Sequence, residues 1–213
     1  ITPEALGFWV ERLKTMGVHL EKPRETSEGI VMNFRDPDGL ELSLIASDEV
    51  EEWQVDPWTR GGIPEEYFIR GFYGVSITVA SCRRSGFFLE DILGLRRVYG
   101  AENLEVYEAE ERGPGRYVLV ECPTGLARGY VGSGVVHHVA FAVESEEEQL
   151  HIRRELERRG FKVTPVIDRK WFKSIYFREP RGVLYEVATE RPGFTVDEPY
   201  DMLGTSLKLP EWL

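Results

Sequence analysis

The feature that most limits what this chain can fold into is an ungapped internal repeat. At a constant spacing of 143 residues, Leu13 is matched by Leu156, Gly17 by Gly160, Phe34-Arg35 by Phe177-Arg178, Pro37 by Pro180 and Gly39 by Gly182. A helix stop and a Pro/Gly turn that stay in step over that distance mean that one supersecondary unit is used more than once.

The chain divides accordingly. Residues 1–47 read as an incomplete unit: a helix starts at Thr2-Pro3-Glu4, runs through Leu6, Trp9, Val10, Leu13 and Met16 at helical spacing and stops at Gly17. Strands over 18–20, 29–34 and 40–46 follow, the last two joined by the turn Asp36-Pro37-Asp38-Gly39. The strand that should precede the helix is absent and the chain opens at Ile1 without Met, so a fragment is expected. Residues 48–69 are a linker packed by Trp53 and Trp58, with the acidic run 48–52 as a solvated surface. Residues 70–123 form a complete β-α-β-β-β unit, with strands over 72–80, 96–99, 104–108 and 117–121 and a helix over 81–93. A Gly-rich connection, 124–134, leads to a second complete unit, 135–190. It has strands over 135–143, 161–165, 173–177 and 183–189, and a helix over 145–159 with Ser145 at the cap and acidic residues in its first turn. The tail, 191–213, is less regular. The fold class is α+β, built from tandem units.

Composition excludes several partners. Apolar residues at 42% and charged residues at 30% fit a soluble globular chain. A net charge of −11 argues against nucleic acid, whose phosphates need clustered Lys and Arg. No apolar run approaches the roughly 20 residues of a membrane span, and none resembles a signal peptide. Cys82 and Cys122 have no metal-type spacing and read as reduced thiols of a cytoplasmic protein.

Where the repeats differ, scaffold separates from chemistry. Asn33 stands opposite Tyr176, Ser43 opposite Glu186 and Glu25 opposite Asp168. Glu186 is a carboxylate inside an apolar strand, which is costly unless it is paired or bound to a cation. His137-His138-Val139-Ala140-Phe141 opens the same unit, and strand alternation would turn only one of the two histidines to the concave face. His138 and Glu186, on the first and last strands, can converge there. One imidazole and one carboxylate make half of a site, since a 2-His-1-carboxylate triad for non-haem Fe(II) needs a second His. A plainer account also stands: His138 as a capped core histidine, Glu186 neutralised by an arginine such as Arg178, and Tyr176 as a core aromatic with a bonded hydroxyl. In it Asp168 is a turn residue, and Phe141, Trp171 and Phe172 are core packing.

Tandem units with His on the first strand and Glu on the last resemble the vicinal oxygen chelate superfamily, which includes glyoxalases, bleomycin-resistance proteins and type I extradiol dioxygenases. Ile175-Tyr176, Glu179-Pro180, Gly182 and Glu186 resemble the extradiol dioxygenase signature, with Asp168 where the signature has a His. The whole chain, most specifically 163–194 and including Arg191-Pro192-Gly193-Phe194 and Lys208-Leu209-Pro210, is similar to bacterial ring-cleaving dioxygenases of the hydroquinone and catechol type.

The resemblance implies modules paired into curved mixed sheets. It implies His138 and Glu186 as ligands of Fe(II), with Zn, Ni or Mn as the alternatives. Tyr176 would hydrogen-bond the substrate oxygen or move a proton, and Asp168 would change or remove the acid–base role of the signature His. His137 would sit beside the ligands, with Phe141, Trp171 and Phe172 as a substrate-binding wall. The implied partners are a small dihydroxylated aromatic and O₂, with no nucleic acid and no membrane; a homodimer is compatible. Gly74 falls where the middle unit would carry a ligand His, and His19 and His151 lie on other elements. In the hydroquinone-type relatives the opening unit carries a His and pairs with the last unit. The third ligand is therefore expected N-terminal to Ile1, in a four-unit parent, which leaves the activity of these 213 residues alone open. Two other readings keep the fold: a glyoxalase-like lyase or isomerase, and a metal-free protein that sequesters a ligand in the bleomycin-resistance manner.

Overall fold

The repeat takes the form of three small sheets, seen in a computed structural model that describes residues 1–58, 61–110, 113–126 and 129–210. In the first unit, α1 (Ala5–Thr15) is followed by β1 (Arg24–Thr26), β2 (Gly29–Arg35) and β3 (Glu41–Ala46), in the order β1-β2-β3. The helix buries Ala5 and Trp9, with Ile30, Leu44 and Ala46 of the sheet in the same cluster. Ile1 lies along β3: its ammonium donates to Ile45 O (3.0 Å) and its carbonyl accepts from Ser47 N (3.1 Å).

The second unit comprises β4 (Gly74–Thr78), α2 (Cys82–Asp91), β5 (Arg96–Ala101), β6 (Leu104–Glu108) and β7 (Tyr117–Glu121). The third comprises β8 (Val139–Val143), α3 (Glu146–Arg158), β9 (Ile167–Asp168), β10 (Lys173–Arg178) and β11 (Leu184–Thr189). Their strand orders match, β4-β7-β6-β5 and β8-β11-β10-β9, and in each the first strand lies parallel to the last. Ser145 caps α3 by accepting from Glu148 N, as its Ser-plus-acidic start leads one to expect.

One core joins units two and three. Phe88 and Leu89 of α2 meet Leu156 of α3 and the inward residues Tyr107, Val120, Ile175, Phe177, Tyr185 and Val187. The Phe88 ring lies 5.5 Å from Phe177 and 5.9 Å from Tyr185. Apolar residues at alternate strand positions fill this core, so the other face of the third sheet turns outward. On β8, Val143 is buried while Ala140 and Ala142 are exposed. No helix among the described residues is long and apolar enough to cross a membrane.

Four expectations need correction. The strand expected at 18–20 is only a bridge from Leu20 to Phe34, and the sheet edge is β1, a polar triplet with no apolar alternation to announce it. The strand expected at 161–165 is likewise a bridge from Val163 to Phe177. The acidic run 48–52 is not simply solvated. It forms a 3₁₀ helix with Val50 buried, and Glu49 accepts from Arg116 and Tyr117 (3.2 and 3.1 Å). Finally, Cys82 and Cys122 are joined as a disulfide, not held as separate thiols. The start of α2 and the residue after β7 bring their Cα atoms to 5.5 Å, a neighbourhood that sequence spacing does not reveal. Trp53 is buried and stacks near Tyr73 (6.1 Å) whereas Trp58 is exposed; Thr59 and Arg60 of the linker lie outside the described residues.

Candidate metal centre

Register brings the candidate residues together. Glu186 pairs with Ala140 on its parallel side and with Tyr176 on its antiparallel side. Ala140, Tyr176 and Glu186 therefore share the outward face, and His138, just ahead of β8, turns its ring onto it. His138 Nε2 is 2.7 Å from Glu186 Oε2, and the imidazole ring stands edge-on to Tyr176 at 5.7 Å. Glu186 is 3% exposed, and its Oε1 is buried without a hydrogen-bond partner among the described residues. A buried ionised carboxylate with one free oxygen is costly unless a cation completes it.

Both histidines take part, contrary to the alternation expected for them. The strand begins at Val139, not at residue 135, so His137 and His138 precede the pleat and their rings are free to turn toward each other. Their Nδ1 atoms are 3.0 Å apart. These contacts are met at once when His138 carries its proton on Nε2, donating to Glu186, while its bare Nδ1 accepts from His137 Nδ1–H. Arg178 does not neutralise Glu186; it is exposed and donates to Gly182 O (2.7 Å).

The other candidates separate. Phe141 points to the opposite face, 5.1 Å from Tyr185 and packed on the core, so it does not line the outward face. Its β8 position has the parity of Val139 and Val143. Trp171 and Phe172 contact Phe194 at 6.2 and 6.1 Å. Asp168 pairs in register with Lys173, whose parity is that of Ile175 and Phe177, and its Oδ1 accepts from Lys170 N (2.7 Å). Asp168 thus lies at the start of the turn, on the face away from Tyr176.

Arg169 was not foreseen. Its guanidinium lies over the Tyr176 ring at 5.5 Å, with Nη2 3.4 Å from the hydroxyl. It stands beside a conspicuous backbone: Lys170 has φ 74° where every other positive-φ position described is glycine. For a lysine that costs about 1 kcal/mol or more. The clue in the sequence was an arginine next to the position that departs from the dioxygenase signature.

As a test of metal fit, His138 and Glu186 offer an imidazole nitrogen and a carboxylate already in contact, plus the unpartnered Oε1. That is a donor pair suited to a divalent transition metal. Among the described residues no group of three or more His, Cys, Asp and Glu side chains is placed to hold one. The pair fits as part of a site.

An outward face carrying such a pair on β-α-β-β-β units defines a class, and comparison with known proteins agrees. The pattern of the Glyoxalase/Bleomycin resistance protein/Dioxygenase superfamily matches residues 73–187, and the chain belongs to that superfamily. Among its relatives is the Bacillus subtilis (strain 168) protein named "Putative ring-cleaving dioxygenase MhqO", 36% identical over 97% of this chain and 64% of its own. Another is the Chlorohydroquinone/hydroquinone 1,2-dioxygenase of Sphingobium indicum, 31% identical over 96% of this chain and 64% of its own. The crystal structure titled putative dioxygenase from Bacillus subtilis superposes with a TM-score of 0.89 at 33% identity, over 98% of this chain and 66% of that one. The chain spans 64% of the length of both named relatives.

Proposed function

We propose that this chain carries the ligand-bearing part of a ring-cleaving dioxygenase that uses Fe(II) and acts on dihydroxylated aromatics such as catechol or hydroquinone. The observation that supports it is the buried Glu186 carboxylate, with one oxygen on His138 Nε2 and the other without a partner among the described residues. His138 and Glu186 would hold the metal, and a third ligand would come from outside these 213 residues. When bound, ferrous iron would supply a centre that brings O₂ together with the ring, through both adjacent oxygens of a catechol or one oxygen of a hydroquinone. The chain's own residues do the rest. The Tyr176 hydroxyl holds or passes a proton at the ring oxygen nearest it. The Arg169 guanidinium, next to that hydroxyl, favours an ionised ring oxygen over a neutral one. With its Nε2 turned to the metal, His138 would carry its proton on Nδ1 and donate it to His137 Nδ1, which orients the ring.

The test is anaerobic Fe(II) loading followed by oxygen uptake with catechol and with hydroquinone, on a preparation that includes the flanking polypeptide. Uptake with a ring-opened product is expected. Metal binding with no oxygen uptake would favour a lyase or isomerase, and absence of metal after loading would sink both enzyme readings. The proposal also places the protein in the cytoplasm, although the Cys82–Cys122 disulfide is the state that an oxidising compartment favours. Cys82 and Cys122 found fully oxidised after thiol trapping in intact cells would count against that placement.

A further inference from the structure

We propose that the segment 193–197 straps the turn that presents Arg169 to Tyr176, and that Asp197 is the positioning residue of that strap. The inference rests on the reading of Tyr176 and Arg169 as part of the site. The turn joins β9 to β10, and two side chains from it converge on one carboxylate. Trp171 Nε1 donates to Asp197 Oδ1 (2.9 Å), and Lys170 Nζ lies 2.5 Å from Oδ2, an ion pair. The Asp197 carboxyl is held below the usual carboxylate range by the Lys170 contact first and the Trp171 hydrogen bond second. The strap also holds backbone and rings: Gly193 N donates to Trp171 O (2.8 Å), and Phe194 stacks on Trp171 and meets Phe172 edge-on.

Lys170 explains why a strap is needed. Glycine would take φ 74° freely, as it does at the other positive-φ positions described. Lysine opposes that conformation but supplies the ammonium that Asp197 grips. Inside the turn the conformation is met by Lys170 N donating to Asp168 Oδ1 and Arg169 N donating to Phe172 O (2.9 Å). Arg169 lies between these two bonds, so its guanidinium position follows the backbone that Asp197 fixes. Asp197 touches none of His138, Glu186 or Tyr176 in the contacts described; it acts through Lys170 and Trp171.

Hydrogen–deuterium exchange on the full chain tests this, comparing the parent with Asp197→Asn, Asp197→Ala and the double variant Lys170→Gly/Asp197→Ala. Amides of 169–173 should exchange several-fold faster in Asp197→Ala and less so in Asp197→Asn, with α3 unchanged. The double variant should return toward the parent, because glycine holds the turn without a strap; a role limited to the ion pair predicts no such rescue. Unchanged exchange in Asp197→Ala, an equal rise in α3, or a rise the double variant leaves in place would each overturn the proposal. In a preparation that turns over catechol, Asp197→Ala should lower kcat/KM several-fold at unchanged metal content, with the double variant recovering part of it. If the parent does not turn over, the functional reading fails while the exchange result still decides the strap.

Discussion

The turn between β2 and β3 and the turn between β10 and β11 are wired alike. Asp36 Oδ1 accepts from the amides of Asp38 and Leu40 (2.9 and 2.8 Å), and Glu179 Oε1 accepts from those of Arg181 and Val183 (2.7 and 3.1 Å). Asp36 N bonds Leu40 O and Glu179 N bonds Val183 O, both at 3.0 Å, and the glycines that follow, Gly39 and Gly182, take φ of 91° and 103°. The difference is one methylene and what lies beyond it. Asp36 is partly exposed, whereas Glu179 is 2% exposed and turns its second oxygen to Ser85 Oγ on α2 (2.8 Å). Three residues before the turns, the strand pairs part company. Asn33 faces Ser43, whose hydroxyl donates to it (2.7 Å), where Tyr176 faces Glu186. The same local frame is thus kept twice, and only the third unit docks it on a neighbour and places a buried carboxylate on its open face.

The most drastic way to break this comparison is to remove the carboxylate from one unit and its counterpart from the other. Glu186→Ala should abolish metal retention after anaerobic Fe(II) loading and desalting, measured as metal per chain, while Ser43→Ala retains it. Equal losses, or none in either, would mean that the third unit is not the metal centre.

The turns come next. Glu179→Ala leaves two amides and the Ser85 hydroxyl without their acceptor in a buried place, and should cost about 3 kcal/mol. Asp36→Ala, where water can reach the freed amides, should cost about 1 kcal/mol. Urea denaturation midpoints at constant m-value measure both. Similar costs would show that burial against α2 adds nothing to the turn.

The sequence made the scaffold readable because its signals are local. Gly17 and Gly160 stop helices, Pro37/Gly39 and Pro180/Gly182 make turns, and apolar alternation picks out β6 and β7 with the bounds 104–108 and 117–121. Edge strands were misread because β1 is a polar triplet and β9 only two residues long, and their pairing is decided by the neighbour already in place. In the site, Glu186 was conspicuous as a charge in an apolar strand, and its match with Ser43 removed a purely structural reason for it. Phe141 was misplaced because its face depends on where the sheet finds its core. Arg169 and the Cys82–Cys122 pair were hidden for the same reason: tertiary contact brings them to their partners, and no spacing rule reports it.

The smallest expected effect probes the buried side of the comparison. Leu42, exposed to 40%, occupies in unit one the place of Tyr185, which is fully buried against Phe88, Phe141 and Phe177. The Tyr185 hydroxyl has no hydrogen-bond partner among the described residues. Burial first, and then the charge of Glu179, push its ionisation well above the usual tyrosine range. Tyr185→Phe removes an unsatisfied polar group and keeps the ring, so stability at neutral pH should hold or rise, by no more than about 1 kcal/mol. The pH dependence has a definite sign. A phenol whose pKa is raised by folding contributes stability that is whole below the unfolded value of about 10 and is lost as pH climbs above it. Tyr73, Tyr107 and Tyr117 are raised as well, so Tyr185→Phe should flatten the alkaline fall in stability without abolishing it. A loss exceeding about 1 kcal/mol at neutral pH would instead mean that the hydroxyl has a partner. Glu179, whose charge acts on that hydroxyl, is the candidate partner, and the third unit's turn would then be tied to its core by a bond that Leu42 has no means to make.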